Sequence, residues 1–143
     1  MSIARFLLAQ ENIYDEALSE IKSGQKQSHW IWFIFPQIQG LGFSPISQEY
    51  AIKDLAEARE YLADSTLKSR LLEISTALIE LPEYDPEKVM GYPDNLKLCS
   101  SMTLFHAADP EEPIFKMVLD KYFDGKMDEL TLKILEQQEK HKD

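Results

Sequence analysis

Two short segments of the sequence carry the polar side chains best suited to chemistry. The first, KQSHW at residues 26–30, places a lysine, a serine and a histidine directly before an apolar run. Histidine has the ordinary pKa nearest neutrality, so His29 is a candidate general acid or base. On a helix Trp32 would share a face with His29 and could stack on a planar ligand. A hydrogen-bonded histidine without a functional role is the alternative.

The second segment is PDNLKLCSS at residues 93–101. Asp94, Lys97 and Ser101 are spaced to share one face near the N-terminus of a helix. Such a terminus can bind an anion through its unpaired backbone N–H groups, its dipole and the lysine. Asp94 is the second candidate acid or base. The alternative is structural: Asp94 caps the helix and pairs with Lys97, while the serines allow close packing.

A glycine-containing segment, QIQGLGFSPIS, lies between the two polar segments at residues 37–47. Its Gly-Leu-Gly and its proline are typical of a loop, and loops of this length in compact domains often have a function. It lacks the Lys-Ser/Thr ending of a phosphate-binding loop and the third glycine of a dinucleotide fingerprint. We therefore expect it to form part of a site wall without being a recognised nucleotide motif.

Metal ions, nucleic acids and membranes are poor partners for this sequence. The histidines and the single cysteine show no metal-ligand spacing, so we predict no metal and no cofactor. The net charge of -10 repels nucleic acid phosphates and anionic membrane surfaces. The longest apolar run, residues 30–35, is far shorter than the roughly 20 residues that span a bilayer.

The compartment follows from the cysteine content and the N-terminal sequence. Cys99 is the single cysteine of the 143-residue sequence and cannot form an internal disulfide, which fits a reducing compartment. The N-terminal residues lack the long apolar segment and cleavage site of a secretion signal. We predict a cytoplasmic protein, whose 44% hydrophobic and 28% charged residues are typical of a globular domain.

Helical periodicity predicts the elements that must position these segments. Apolar residues follow one helical face through residues 3–21, and Gly24 stands where that helix should end. Helical spacing resumes over residues 48–63, and Asp64 or Ser65 then caps a helix that Pro82 closes. Further helices are predicted from Asp85 to Gly91, from Pro93 to Ala108, from Asp109 to Phe123 and around Met127 to Ile134. The expectation is an all-α, compact single-domain bundle of about seven short helices over residues 1–143, with a polar tail from about residue 136.

One apolar segment is ambiguous. Residues Trp30 to Phe35 form either a short helix, capped by Ser28 and ended by Pro36, or a buried strand. Periodicity alone does not decide between the two for so short a run.

Longer blocks of the sequence resemble a known family. KQSHWIWFIFPQIQGLG, SPISQEYAI, GYPDNLKLCSSMTLF and FDGKMDELTLKIL are similar to domain of unknown function 1810, and the similarity extends from Phe6 to about Leu135. The resemblance implies a compact, mainly helical fold and no established reaction. Some members carry a calpastatin label, but inhibitors of that kind resemble disordered, repetitive chains, unlike this one.

The family's motif positions contain more polar residues than a packed core requires. Polar loop residues in a signature point to function more than core residues do. We therefore predict His29 and Asp94 as catalytic candidates, together with a larger set of ligand-binding residues. These are Lys26, Ser28, Trp32, Gln37, Gly40, Gly42, Ser44, Ser47, Tyr50, Arg70, Lys97, Ser100 and Ser101.

The expected function is the binding of a small anionic ligand, phosphorylated or nucleotide-like. Residues 26–32 and the loop would form one wall of the pocket, and residues 94–101 the other. If the protein is an enzyme, metal-free hydrolysis or group transfer is expected. The alternatives are a non-catalytic protein-binding or adaptor module that docks through the aromatic segment, and a homo-oligomer formed through it. The sequence decides neither the presence of catalysis nor the oligomeric state.

Overall fold

The structure is a computed structural model that describes residues 3–141. Over this range it contains ten helices and no β-strand, which confirms the all-α prediction, although more helices form than the seven or so expected. They are α1 Ala4–Gln10, α2 Tyr14–Lys22, α3 Ile31–Ile34, α4 Pro45–Glu49, α5 Leu55–Ala63, α6 Ser65–Glu80, α7 Pro86–Met90, α8 Asp94–Ala108, α9 Pro113–Phe123 and α10 Glu129–Lys140. One isolated parallel bridge joins Ile38 to Ile52.

The additional helices arise where a predicted helix breaks in two. The first breaks after Gln10, whose side chain is buried and whose Nε2 donates to the Phe33 carbonyl at 2.7 Å and to the Tyr61 hydroxyl at 3.0 Å. A buried amide needs such partners, and these come from distant parts of the chain. The predicted helix over residues 48–63 breaks because Ile52 pairs with the loop and Asp54 caps α5, accepting from Glu57 N at 2.9 Å.

The ambiguous apolar segment forms the short helix α3, so the helical alternative is correct. Ser28 does not cap it. The N-cap residue is Trp30, without a side-chain hydrogen bond, and the Ser28 hydroxyl donates instead to Glu20 Oε2 at 2.6 Å. A serine N-cap would accept from backbone N–H groups of the helix, whereas here the Ser28 hydroxyl donates a charge-assisted hydrogen bond to Glu20.

Aspartate caps were predicted with mixed success. Asp64 caps α6 and Asp85 caps α7, as expected from the sequence. The cap of α9 is Glu112 rather than Asp109, and α8 begins at Asp94 without a side-chain cap. The carboxylate of Asp94 is engaged elsewhere, as described below.

Helix α8 lies at the centre of the molecule and packs against α3, α5, α7, α9 and α10. Its residues Leu98, Met102 and Phe105 are wholly buried, so α8 is apolar on most sides, as a central helix must be. Aromatic contacts extend the core outward from Phe105 to Tyr61 and Phe115, with ring centroids 5.1 and 5.8 Å away. The first turn of α8 is its polar end, and it faces α3 and the loop before α4.

Helix α10 continues through the polar C-terminal residues as far as Lys140. Its Gln138 Nε2 donates to the Lys53 carbonyl at 2.9 Å, which ties the helix to the start of α5. Within residues 3–141 no helix is long and apolar enough to cross a membrane.

Candidate functional site

A carboxylate shared between two lysines marks the first turn of α8. Asp94 Oδ2 lies 2.7 Å from Lys26 Nζ, and Asp94 Oδ1 lies 3.3 Å from Lys97 Nζ. The Lys26 side chain is 6% exposed, whereas that of Lys97 is 28% exposed. The three groups together carry one net positive charge, and Lys97 is the member that reaches solvent.

Each lysine also lies over a tryptophan ring of the segment around α3. Lys26 Nζ is 5.0 Å from the centroid of Trp30, and Lys97 Nζ is 5.1 Å from that of Trp32. Both distances permit a cation–π attraction, which holds the ammonium groups in place. Trp30 Nε1 donates to Glu20 at 2.9 Å, but the buried Trp32 Nε1 has no hydrogen-bond partner among residues 3–141.

Glu20 of α2 fixes the chain that leads into α3. Its carboxylate accepts from Gln27 N at 2.7 Å, from Ser28 N at 3.0 Å, from the Ser28 hydroxyl and from Trp30 Nε1. Burial raises the pKa of Glu20, but the hydrogen bonds from Ser28, Gln27 and Trp30 outweigh burial and lower it to about 2. Glu20 is therefore ionised at neutral pH and holds residues 26–30 against α8.

A cavity of about 340 Å³ opens beside this cluster, between α8, the loop and the start of α10. It is lined by Trp32, Gln37, Ile38, Gln39, Gly40, Leu41, Gly42, Ser47, Gln48, Tyr50, Ala51, Pro93, Leu96, Lys97, Ser100, Asp128 and Leu130. Among these lining residues Lys97 is the one base and Asp128 the one acid. We call this space the Lys97 cavity.

The two glycines of the loop allow it to pack closely around the Lys97 cavity. A Cβ atom on Gly42 would lie 2.8 Å from both Cβ and Oγ of Ser47, closer than such atoms can approach. Gly40 has a φ of +108°, and a Cβ there would lie 3.3 Å from Ile134. The tight course of the loop over α4 and α10 therefore depends on both glycines.

Asp128, the acidic residue of the cavity, accepts several hydrogen bonds from the protein itself. It caps α10 by accepting from Thr131 N at 3.0 Å, and it accepts from the Thr131 hydroxyl at 2.5 Å. The Ser100 hydroxyl lies 3.1 Å from Asp128 Oδ2 and 3.2 Å from the Leu96 carbonyl. These bonds tie α8 to α10 and hold the Asp128 carboxylate in place.

Tyr50 contributes a hydroxyl group to the lining of the Lys97 cavity. Burial, and after it the nearby Glu49, raise the pKa of Tyr50 despite the opposing effect of Arg5. The hydroxyl of Tyr50 therefore keeps its proton at neutral pH. No group of three or more His, Cys, Asp or Glu side chains within residues 3–141 is placed to hold a metal ion.

The family membership of the chain is decided by a sequence comparison. A family model described as "Protein of unknown function (DUF1810)" matches residues 1–135. The chain belongs to this family. The resemblance seen in the sequence blocks is thereby confirmed.

A solved structure supports the fold of this DUF1810 protein. The crystal structure of the conserved hypothetical protein Rv1873 from Mycobacterium tuberculosis is similar to it, with 40% sequence identity and a TM-score of 0.92. The match covers 94% of this chain and 96% of that one. No curated protein matches the chain. The comparisons therefore identify the family and the fold without adding an activity.

The structure brings together about half of the residues predicted for the site of this DUF1810 protein. The predicted residues that line the Lys97 cavity are Trp32, Gln37, Gly40, Gly42, Ser47, Tyr50, Lys97 and Ser100. They come from both predicted walls. Asp94 lies outside the lining but contacts Lys97, and Lys26 is connected to Lys97 through Asp94.

The other predicted residues have different surroundings. His29 is exposed and does not line the Lys97 cavity. Ser28 is bound to Glu20, and Ser44 caps α4 by accepting from Ser47 N at 3.2 Å. Arg70 Nη1 donates to Gln10 at 3.3 Å and lies over the ring of Tyr14, far along the chain from either segment. Arg70 thus joins α6 to α1 and α2.

Ser101 is also absent from the lining, although it neighbours Ser100. Its side chain is wholly buried, and its hydroxyl has no hydrogen-bond partner in the described part of the chain. Ser101 therefore faces the core, while Ser100 faces the Lys97 cavity. Helical spacing alone predicts Ser101 on the same face as Lys97.

The sequence prediction did not name several lining residues, chiefly Leu96, Asp128 and Leu130. Asp128 could have been found, because an aspartate directly before a helical stripe is a strong cap signal. Leu96 and Leu130 gave a weaker signal, since each is an apolar residue outside the buried stripe of its helix.

Proposed function

We propose that this protein binds a small anionic ligand in the Lys97 cavity. The observation that supports the proposal is the position of Lys97, a partly exposed base that lines a cavity formed by both signature segments. Glu20, Trp30 and Trp32 hold the surrounding chain in place without the ligand. A cationic group fixed in advance loses little conformational freedom on binding.

Lys26, Lys97, Asp94 and Asp128 carry formal charges that sum to zero, so an anion at Lys97 meets no net repulsion from this group although the whole chain is acidic. Asp94 neutralises only one of its two lysines, and the carboxylate of Asp128 is occupied by hydrogen bonds from Ser100 and Thr131. A phosphate or carboxylate that reaches Lys97 would form a charge-assisted hydrogen bond, worth about 1.5 to 3 kcal/mol. The net charge of -10 slows the approach of anions but does not cancel this contact.

The rest of the lining suits a ligand that has more than a charged group. The side chains of Gln37 and Gln39 can bind polar substituents, and the rings of Trp32 and Tyr50 can lie against a planar or apolar part. The proposal is for binding alone, since the described lining contains neither histidine nor cysteine and His29 lies outside it. We also propose a cytoplasmic location, which the single cysteine supports.

A thermal-shift titration tests the proposal. Inorganic phosphate, butyl phosphate and adenosine monophosphate are each added to the wild type, to Lys97→Gln and to Lys116→Gln. Lys116 is an exposed lysine of α9, outside the Lys97 cavity, and serves as the matched control. A ligand at about 100 times its Kd should raise the Tm by about 5 to 10 °C.

The expected result is a shift in the wild type and in Lys116→Gln that is lost in Lys97→Gln. An equal shift in all three proteins would mean that the anion binds elsewhere. No shift with any of the three compounds at millimolar concentration would reject the proposal.

A protein-binding role is the second candidate, and exposed apolar residues near the cavity favour it. Phe43 is 81% exposed, Tyr92 is 71% exposed and Leu96 is 52% exposed. The aromatic segment from Trp30 to Phe35 is largely buried, so the docking or self-association surface expected there is not available. Light scattering on the wild type and Phe43→Ser tests whether the partner is a second copy of the chain. A monomer mass for both excludes a homo-oligomer formed through Phe43.

A further inference from the structure

A groove adjoins the Lys97 cavity and shares part of its wall. Leu96, Asp128 and Leu130 line both spaces. The groove has a volume of about 630 Å³ and continues between α8, the end of α9 and the start of α10. We call it the α8–α10 groove. A ligand bound at Lys97 that extends past Leu96 and Leu130 enters it directly.

The α8–α10 groove has an apolar floor and a charged rim. Its partly buried residues Cys99, Phe123 and Met127 pack against the core. The charged residues Asp124, Lys126, Glu129 and Lys133, by contrast, are all exposed. Their charged groups can remain in water while the floor is covered.

The junction between the two spaces has two exposed leucines beside Asp128, whose carboxylate is held by Ser100 and Thr131. Leu96 and Leu130 are each 52% exposed although both lie on helices that bury other apolar residues. Covering such surface removes apolar area from water, which favours binding. A ligand that crosses the junction would therefore gain affinity from an apolar part.

A second extension of the Lys97 cavity has a different character. Past Gln39 and Gly40 lies a groove whose lining includes Lys53, Asp54 and Arg59. Lys53 and Arg59 are exposed, as is the charged rim of the α8–α10 groove, and Leu55 and Leu135 give this extension apolar surface too. The two extensions differ where they join the Lys97 cavity: the α8–α10 groove shares the exposed Leu96 and Leu130 with it, whereas the second extension shares Gln39 and Gly40.

Building on the proposed function, we infer that the ligand is an amphiphile with one anionic group and an unbranched apolar chain. The anionic group lies at Lys97. The chain crosses Leu96 and Leu130 and covers Phe123 and Met127. A phosphate or carboxylate head would pair with Lys97, and a hydrocarbon chain would pack against the apolar residues of the groove.

Matched alkyl phosphates test this inference. The Kd values of inorganic phosphate, butyl phosphate and octyl phosphate are measured by calorimetry, below the concentration at which octyl phosphate forms micelles. Each buried methylene should tighten binding about fourfold, so octyl phosphate should bind about tenfold or more tightly than butyl phosphate even with a partly buried chain. Octyltrimethylammonium has the same chain with the opposite charge and should not bind.

Variants locate the chain on the protein. Met127→Ser and Leu130→Ser should reduce the ratio of the octyl to the butyl affinity by about fivefold or more, since each loses apolar contact with the chain. Leu132→Ser changes an exposed leucine of α10 that lies outside the groove, and it should keep the wild-type ratio. Circular dichroism confirms that each variant is folded, and Leu130→Ser remains informative if Met127→Ser is not.

The outcomes separate the inference from the proposed function. Equal affinities for butyl and octyl phosphate overturn the amphiphile and leave anion binding intact. Equal binding of octyl phosphate by Lys97→Gln, or binding of the cationic amphiphile, shows unspecific adsorption and overturns it too. If light scattering shows a dimer that Leu130→Ser dissociates, the groove is covered by a second copy of the chain, and the amphiphile inference is overturned. If none of the phosphates binds, both proposals fail.

Discussion

Lys97 Nζ lies 3.3 Å from Asp94 Oδ1 on the first turn of α8, yet Lys26 Nζ lies closer to the same carboxylate, 2.7 Å from Asp94 Oδ2. Lys26 is nearly buried and Lys97 is not. The carboxylate is therefore needed mainly by the inner lysine. The outer lysine is free to exchange Asp94 for another anion without leaving a buried charge unpaired.

Replacing Asp94 by asparagine should have opposite effects on stability and on anion binding. Asp94→Asn leaves the ammonium group of Lys26 without its charged partner, which should lower the free energy of unfolding by about 1 to 3 kcal/mol. It also removes a negative charge next to Lys97, so inorganic phosphate should bind more tightly. Urea denaturation and phosphate titration measure the two effects.

Asp120→Asn is the matched control for this experiment, because Asp120 pairs with the exposed Lys116 on α9. It should change the free energy of unfolding by less than about 1 kcal/mol and leave phosphate affinity unchanged. A folded Asp94→Asn protein with weaker phosphate binding would show that Asp94 supports the anion rather than competing with it.

Glu20 should make the stability of the protein depend on pH. Its pKa falls from an ordinary 4.5 to about 2, so its ionised form stabilises the folded state fully above about pH 5 and loses this effect as the pH falls towards 2. Because the side chain is only partly buried, Glu20→Gln should cost about 1 to 2 kcal/mol at pH 7. The difference between wild type and Glu20→Gln should shrink steadily between pH 5 and pH 2 in urea denaturation.

Glu16→Gln changes an exposed carboxylate on the same helix and should show no such convergence. A stability difference for Glu20→Gln that stays constant down to pH 2 would contradict the role assigned to its charge.

The two tryptophans should respond differently to replacement by phenylalanine. Trp30→Phe removes a wholly buried indole whose Nε1 donates to Glu20, and we expect a loss of about 2 kcal/mol or more. Trp32→Phe removes a buried N–H that has no partner within residues 3–141, so its cost should be below about 1 kcal/mol. Urea denaturation compares the two variants, and a larger loss for Trp32→Phe would be inconsistent with the structure.

The loop prediction concerns Gly42 and Ser47. Gly42→Ala places a Cβ 2.8 Å from the Ser47 side chain, so the loop must shift, at a cost of about 1 to 3 kcal/mol. Ser47→Gly removes the obstructing atoms, and the double variant should recover most of the loss. A double-mutant cycle in urea denaturation measures this coupling. Strictly additive effects would show that the close approach has no energetic consequence.

Local sequence signals predicted the parts of this fold that depend on neighbouring residues. Asp64 and Asp85 cap their helices by bonding to N–H groups two or three residues away, so their roles are visible in the sequence. The break after Gln10 was not predictable, because its partners Phe33 and Tyr61 are far along the chain. Tertiary contacts override helical periodicity at such positions.

The same distinction applies to the candidate site. The polar residues of the two segments were identified because their types are unusual, and Lys97 and Trp32 do lie together. The structural alternative for Asp94 combined a helix cap with a pairing to Lys97. The pairing forms but the cap does not, because Lys26, from outside the helix, also binds the carboxylate. The α8–α10 groove was missed because exposure of Leu96 and Leu130 depends on which helices pack beside them.

The position of the tryptophans also gives the protein an intrinsic optical signal. It has two tryptophans, and both rings lie against ammonium groups of the cluster, Trp30 beneath Lys26 and Trp32 beneath Lys97. A ligand that draws Lys97 away from Trp32 changes the charge next to one fluorophore and leaves the other, which is wholly buried, as it was. Unlabelled protein can therefore be titrated by emission alone, with Trp32→Phe as the variant that should be silent.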